Sequence, residues 1–166
     1  MNLDKDIQFE ENFGSVENQY LLFLSGGDLY AIEALSIKEI VEYGEVTKVP
    51  MMCSFVKGVT NIRGNIVPVI DLLDRLSLGC TRIQNKTSII VINLKGLEKD
   101  MQIGVVVDEI FEVDNISIID TREAPEFGSK IKKRFIKKMG KYSSEYIPIL
   151  DINNLLDIEE LSKIPD

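Results

Sequence analysis

Histidine and tryptophan are missing from all 166 residues, and cysteine occurs only twice. Without histidine the commonest general base is absent, and with it the Ser-His and Cys-His pairs that activate nucleophiles. Hydrolase and protease chemistry is therefore not expected. Cys53 and Cys80 stand 27 residues apart with no imidazole to join them, so no ordinary zinc site can form and both are read as reduced, bland thiols. No G-x-x-x-x-G-K-[ST] loop is present, and glycines stand singly apart from Gly26-Gly27, so nothing cradles a nucleotide phosphate. Neither a metal nor a cofactor is expected. No apolar run approaches the ~20 residues needed to span a bilayer. The opening MNLDKDIQFEENFG lacks the basic-then-apolar order of a secretory signal, so the expected location is the cytoplasm. Positive charge is also scarce: 19 Lys and Arg face 27 Asp and Glu, a net charge of −8 whose field repels nucleic acid and anionic membranes.

What the chain does have is the means to build a core. Hydrophobic residues make up 45% and charged residues 28%, the profile of a folded domain rather than a disordered one. Residues 1–17 are polar and mostly acidic and are read as a tail. From Gln19 onward short runs rich in Val, Ile, Tyr and Phe alternate with Gly, Pro, Asn and Asp, which is an all-β rhythm. The expected strands cover 20–24, 29–34, 37–43, 56–62, 66–70, 88–94, 101–107, 111–119, 135–139 and 146–150. Ser25-Gly26-Gly27-Asp28 suits a hairpin loop. Helix is confined to short pieces at 72–76 and 153–156, the second open to extension as far as Leu161, with a turn near 51–55.

An internal echo organises these runs. VPVIDLLDRL at 67–76 aligns with IPILDINNLL at 147–156, keeping Pro68/Pro148, Asp71/Asp151 and Leu76/Leu156 at an offset of 80. Ile37-x-Glu39-Ile40 is matched by Ile110-x-Glu112-Val113 at an offset of 73, which implies an insertion in the second copy near residues 124–134. Either aliphatic strands resemble one another by chance, or one supersecondary unit occurs twice: a proline-bearing strand, an Asp that caps, a short helix. Two successive copies of about five strands each are too small for two sandwiches, and small closed barrels remove exposed edges economically.

Asp71 and Asp151 are better explained as helix caps than as an acid/base pair, and no enzymatic activity is expected. The stretch VPMMCSFVKGVTNIRGNIVPVID at 49–71 is more specific. Pro50 and Pro68 bracket two apolar strands joined through Asn61-Ile62-Arg63-Gly64-Asn65, a turn whose glycine can take positive φ. Arg63 at this corner is either an idle exposed arginine or a planar donor fork for a carboxylate. Glu39 is the acidic residue at a matched position of the same lobe, so a structural ion pair of Glu39 with Arg63 is expected.

The run F-V-K-G-V-T-N-I-R-G-N-I-V-P-V-I-D-L from Phe55 to Leu72 is similar to the signature of CheW-like domains. The resemblance extends over roughly residues 19–158 through Tyr30-Ala31-Ile32, Val49-Pro50, Ile103-Gly104-Val105-Val106-Val107-Asp108, Ala124-Pro125-Glu126-Phe127 and Ile149-Leu150-Asp151. It implies an all-β chain of two tandem five-stranded barrels of the Src-homology-3 type with short connecting helices. The domain would occupy 18–158, with tails at 1–17 and 159–166 and no receiver module after Asp166. It further implies a non-catalytic chemotaxis adaptor that couples chemoreceptors to the histidine kinase CheA and meets the membrane only through receptors. One surface would take the receptor's cytoplasmic coiled-coil tip near the groove between the barrels; others, at barrel ends, would take the regulatory domain of CheA. Matched to this sequence, the receptor-binding positions are Ile37, Val41, Gly58, Arg63 and Gly64, with Val106 contributed by the second barrel. A related module in a non-chemotaxis signalling array and an enzyme are the competing readings.

One stretch departs from the family. KIKKRFIKKMGK at 130–141 carries seven positive charges in twelve residues. It is read either as an edge that lysine protects from aggregation or as a contact for an acidic partner, and it is not expected to bind DNA or RNA.

Overall fold

A computed structural model of the chain describes residues 19–50, 52–94, 100–119 and 130–157. The expected tails at 1–17 and 159–166, residue 51 of the expected turn, most of the 124–134 insertion and any helix reaching Leu161 lie outside the described residues. The elements run β1 (Gln19–Ser25), β2 (Asp28–Glu33), β3 (Ile37–Glu42), β4 (Val56–Ile62), β5 (Asn65–Asp71) and α1 (Leu72–Arg75). They continue with β6 (Ser88–Leu94), β7 (Met101–Val107), β8 (Glu109–Asn115), β9 (Ser117–Ile119), β10 (Ile136–Tyr142), β11 (Glu145–Leu150) and α2 (Ile152–Leu155). Among the described residues the fold is all-β with two short α-helices, arranged as two barrel-like lobes.

Lobe I is the sheet β3-β6-β7-β5-β4, and lobe II is β8-β1-β2-β11-β10-β9. The two copies are therefore not successive halves of the chain. The first two strands leave lobe I entirely and complete lobe II, with β1 pairing β8 and β2 running parallel to β11. Register makes the equivalence exact in order. In lobe I the residues Glu39, Val91, Gly104, Val69 and Gly58 lie side by side across five strands. In lobe II the matching row is Glu112, Leu22, Ala31, Ile149 and Lys138. Lobe II is thus a circular permutation of lobe I, and small residues, Gly104 and Ala31, occupy the same place in both.

Each lobe closes on itself. The strand expected over 111–119 breaks at Ile116, whose buried side chain lies inside lobe II, so that β8 pairs β1 while β9 crosses to β10. In lobe I the chain after β3 makes the corresponding crossing through a bridge of Thr47 with Val59 in β4. β10 is consequently not an open edge along its whole length, because β9 covers Met139, Gly140 and Lys141.

Strands of alternating pattern normally bury one face; several here bury both. In β6, Ile89 and Val91 fill lobe I, while Ile90, Ile92 and Leu94 join a core shared by both lobes. β1 does the same, with Tyr20 and Leu22 inside lobe II and Leu21 and Phe23 in the shared core. Each such fully buried aliphatic contributes roughly 1.5–3 kcal/mol, so the junction between the lobes is a hydrophobic core in its own right.

At the centre of that junction sits Arg75, 6% exposed. Its guanidinium lies 4.7 Å from the Phe55 ring centre and 4.8 Å from that of Phe135, residues at matched positions of the two lobes. Its Nε donates to the Leu155 carbonyl at 2.7 Å and Nη2 to that of Asn154 at 3.1 Å. One arginine of lobe I thereby satisfies the carbonyls at the end of α2 and stacks on both lobes' phenylalanines.

Candidate functional site

The β4–β5 hairpin turns through two residues, since Ile62 pairs Asn65 and only Arg63 and Gly64 lie between. Both have positive φ, 53° and 86°, the mirror-image turn whose twist matches paired strands. Asn61 Oδ1 accepts from the Gly64 amide at 2.9 Å and fixes the corner. Arginine in the left-handed region works against its own preference, and its side chain returns over the sheet. Nε donates to Glu39 Oε1 at 3.1 Å, with the arginine side chain 70% exposed and the glutamate 11%. The carboxylate is therefore the sheltered member and the guanidinium the presented one.

Glu39, Arg63, Val41, Ile62, Ile66 and Ile89 lie along an open groove of about 540 Å³ on lobe I. Ile66 is 65% exposed, an apolar contact offered beside the cation. Ile37 is half-buried and rests on the shared core, and Val41 is half-buried against the lobe I core. Arg63 and Gly64 are exposed at the tip.

Two of the six expected contact residues lie inside. Val106 is fully buried in the lobe I core, and β7 belongs to lobe I, so it is neither a surface residue nor a contribution of the second barrel. Gly58 is buried at a bulge with φ 150°, and a Cβ there would fall 2.1 Å from the Thr47 carbonyl oxygen. It lets the chain after β3 close against β4. Both residues shape the groove from beneath.

The carboxylates fall into the capping role. Asp71 accepts from the Leu73 amide at 3.1 Å and from the amide and hydroxyl of Thr81 at 2.8 and 2.6 Å; Asp151 accepts from the Asn154 amide at 3.2 Å. They sit in different lobes. Among the described residues no three His, Cys, Asp or Glu side chains gather as a metal would require, and no helix is long and apolar enough to cross a membrane.

Lobe II carries a chemically different version of the same corner. Glu112, equivalent to Glu39, accepts from the Tyr142 hydroxyl instead of an arginine, and Tyr142 meets Phe111 edge-on with ring centres 6.4 Å apart. That hydrogen bond, followed by burial and the nearby carboxylates, pushes the Tyr142 phenol up to about 12. Ser143 and Ser144, both at positive φ, replace Arg63 and Gly64 in the turn. Sequence reasoning missed this corner and Arg75. Each had a signal: Glu112 was already matched with Glu39, and Arg75 is a charged residue where the other copy has Leu155.

A family model described as CheW-like domain matches residues 19–160. The chain is 31% identical over 150 residues to chemotaxis protein CheW of Klebsiella aerogenes, covering 90% of this chain and 88% of that protein. It is 33% identical over 147 residues to chemotaxis protein CheW of Bacillus subtilis, covering 88% and 92%. The crystal structure of the scaffolding protein TtCheW from Thermoanaerobacter tengcongensis superimposes with a TM-score of 0.73 at 26% identity, over 90% of this chain and 94% of that one.

Proposed function

The chain belongs to the CheW-like family, and from that premise we propose that it is a non-catalytic adaptor of chemotaxis signal transduction that couples chemoreceptors to the histidine kinase CheA. The receptor's cytoplasmic coiled-coil tip, expected near a groove between the barrels, is assigned instead to the lobe I groove, because the groove that Arg63 rims is lined by lobe I alone. A barrel end takes the regulatory domain of CheA, and the protein reaches the membrane only through receptors.

The observation that carries this reading is the corner of lobe I, where a sheltered carboxylate holds an exposed guanidinium at the rim of a partly apolar groove. Arg63 contributes a donor fork already oriented by Glu39, so less freedom is lost when a partner's carboxylate docks. Val41 lines the same groove and Gly64 shares the turn with Arg63, while Ile37 is assigned to the contact by the family resemblance and Gly58 and Val106 support the strands from within. Affinity of purified receptor cytoplasmic fragment and of CheA for Arg63→Ala tests the assignment. A loss on the order of 1–3 kcal/mol toward the receptor fragment is expected for a desolvated contact. Unchanged affinity for both partners removes Arg63 from the binding surface.

A further inference from the structure

Seven of the nineteen basic residues fall between Lys130 and Lys141, in a chain of net charge −8. In the fold they line the approach to β10, the 3-10 turn Lys133–Phe135 and β10 itself. Lys137 is held by Glu33 at the end of β2, and Arg134 lies 4.5 Å over the Phe135 ring. Lys130, Lys132, Lys133, Lys138 and Lys141 are exposed and make no ion pair with another described residue. β9 already covers one end of β10, so protecting an open edge does not account for charge along the whole strip. Like charges this crowded repel one another, and an acidic ligand relieves that repulsion.

Residues 1–18 supply such a ligand. They contain Asp4, Asp6, Glu10, Glu11 and Glu17 against the single Lys5. They also join the fold beside the strip: Tyr20, at the start of β1, pairs with Glu33, and Glu33 is the residue that holds Lys137. Eighteen residues can reach up to ~60 Å, whereas the three strand spacings from β1 to β10 amount to ~15 Å. A tether of that length gives an effective concentration in the range of about 1 mM or more, enough to populate a weak electrostatic contact.

We propose that the Lys130–Lys141 strip is a docking surface for an acidic peptide, and that its resident occupant is the segment 1–18 of the same chain. Nucleic acid is the less favoured ligand because the rest of the surface repels a long polyanion.

The test uses the full-length chain in three forms: native, with the segment neutralised (Asp4→Asn, Asp6→Asn, Glu10→Gln, Glu11→Gln, Glu17→Gln), and with Lys132→Gln, Lys133→Gln and Lys138→Gln added to the neutralised form. A fluorescent synthetic peptide of residues 1–18 is the probe, titrated at low and high salt. The neutralised form is expected to bind it at least about fivefold more tightly than the native chain, with binding lost at high salt and in the lysine variant. The amide resonances of Lys138 and Lys141 should also shift between native and neutralised forms. Equal probe binding by native and neutralised chains, binding that survives the lysine substitutions, or no binding to any form overturns the proposal.

Discussion

Arg63 and Glu39 divide two tasks that a single substitution can separate. Removing the arginine strands a carboxylate that is only 11% exposed, but the guanidinium itself is largely in water, where an ion pair adds no more than ~1 kcal/mol. Arg63→Ala is therefore expected to lower the unfolding free energy by about 1 kcal/mol. Arg63→Gly loses the same pair yet relieves the positive φ of 53°, and should recover roughly 1 kcal/mol of that loss. Chemical denaturation of both variants, run beside the receptor titration, reads the backbone and side-chain effects apart. A second residue-scale expectation concerns alkaline titration. Tyr142 is pushed up to about 12 chiefly by its bond to Glu112, and Tyr30 to about 12 chiefly by burial and then by Asp28. A phenol whose folded value is raised contributes stability that is complete below its ordinary value near 10 and is lost as pH rises through about 12. Ultraviolet titration should show both phenols still protonated when ordinary tyrosines have ionised, and Tyr142→Phe should remove one late-ionising group. Glu39 and Arg63 could be named from the chain because Glu39 sits in a run of unambiguous strand pattern and Arg63 stands beside Gly64 in a short turn between two such runs. Val106 was placed on the surface for lack of any way to see that β7 is covered on both faces.

The strand-and-cap unit was the most legible element. Proline within a strand and an aspartate directly before a short helix are strong local signals, and both copies form as expected: the Asp71 and Asp151 amides donate to Phe55 and Phe135 carbonyls at 2.8 Å in each lobe. The break at Ile116 was not legible, because a bent strand that stays apolar looks continuous in a single sequence. Nor was the exchange of β1 and β2 into lobe II, since those strands share with β6 and β7 only an aliphatic pattern common to many strands. The bulge in β4 allows a sharp test. Gly58→Ala places a Cβ against the Thr47 carbonyl at φ 150°, and should cost ~3 kcal/mol or more through backbone displacement. Gly64→Ala, at φ 86° with open space around it, should cost only about 1–2 kcal/mol. Similar losses in the two would mean that closure of lobe I does not depend on the Thr47–Val59 crossing.

At the scale of the molecule, the permuted connectivity makes the lobes depend on each other. Lobe II has no complete sheet until β1, at the start of the described chain, meets β8, where Gln19 pairs Asn115. By then β3 through β7 have to be arranged between them, so long-range pairing precedes much of the stabilisation and folding should be slow for the chain's size. The core agrees, because Ile90 and Ile103 of lobe I and Leu21, Phe23 and Leu150 of lobe II belong to one cluster. Arg75 locks that arrangement, and no methylene side chain can replace its two carbonyl contacts and two ring contacts together. Arg75→Met is expected to cost roughly 2–4 kcal/mol, from lost charge-assisted hydrogen bonds and the α2 carbonyls they leave behind. The decisive measurement is where that cost appears. Val91 and Leu22 occupy matched central positions of the two lobes, so their amide exchange reports each lobe separately. If the lobes unfold as one unit, exchange free energies at both sites should fall by the same amount in Arg75→Met. A fall confined to Leu22, beside an unchanged Val91, would mean that lobe I stands alone and that Arg75 only docks lobe II onto it.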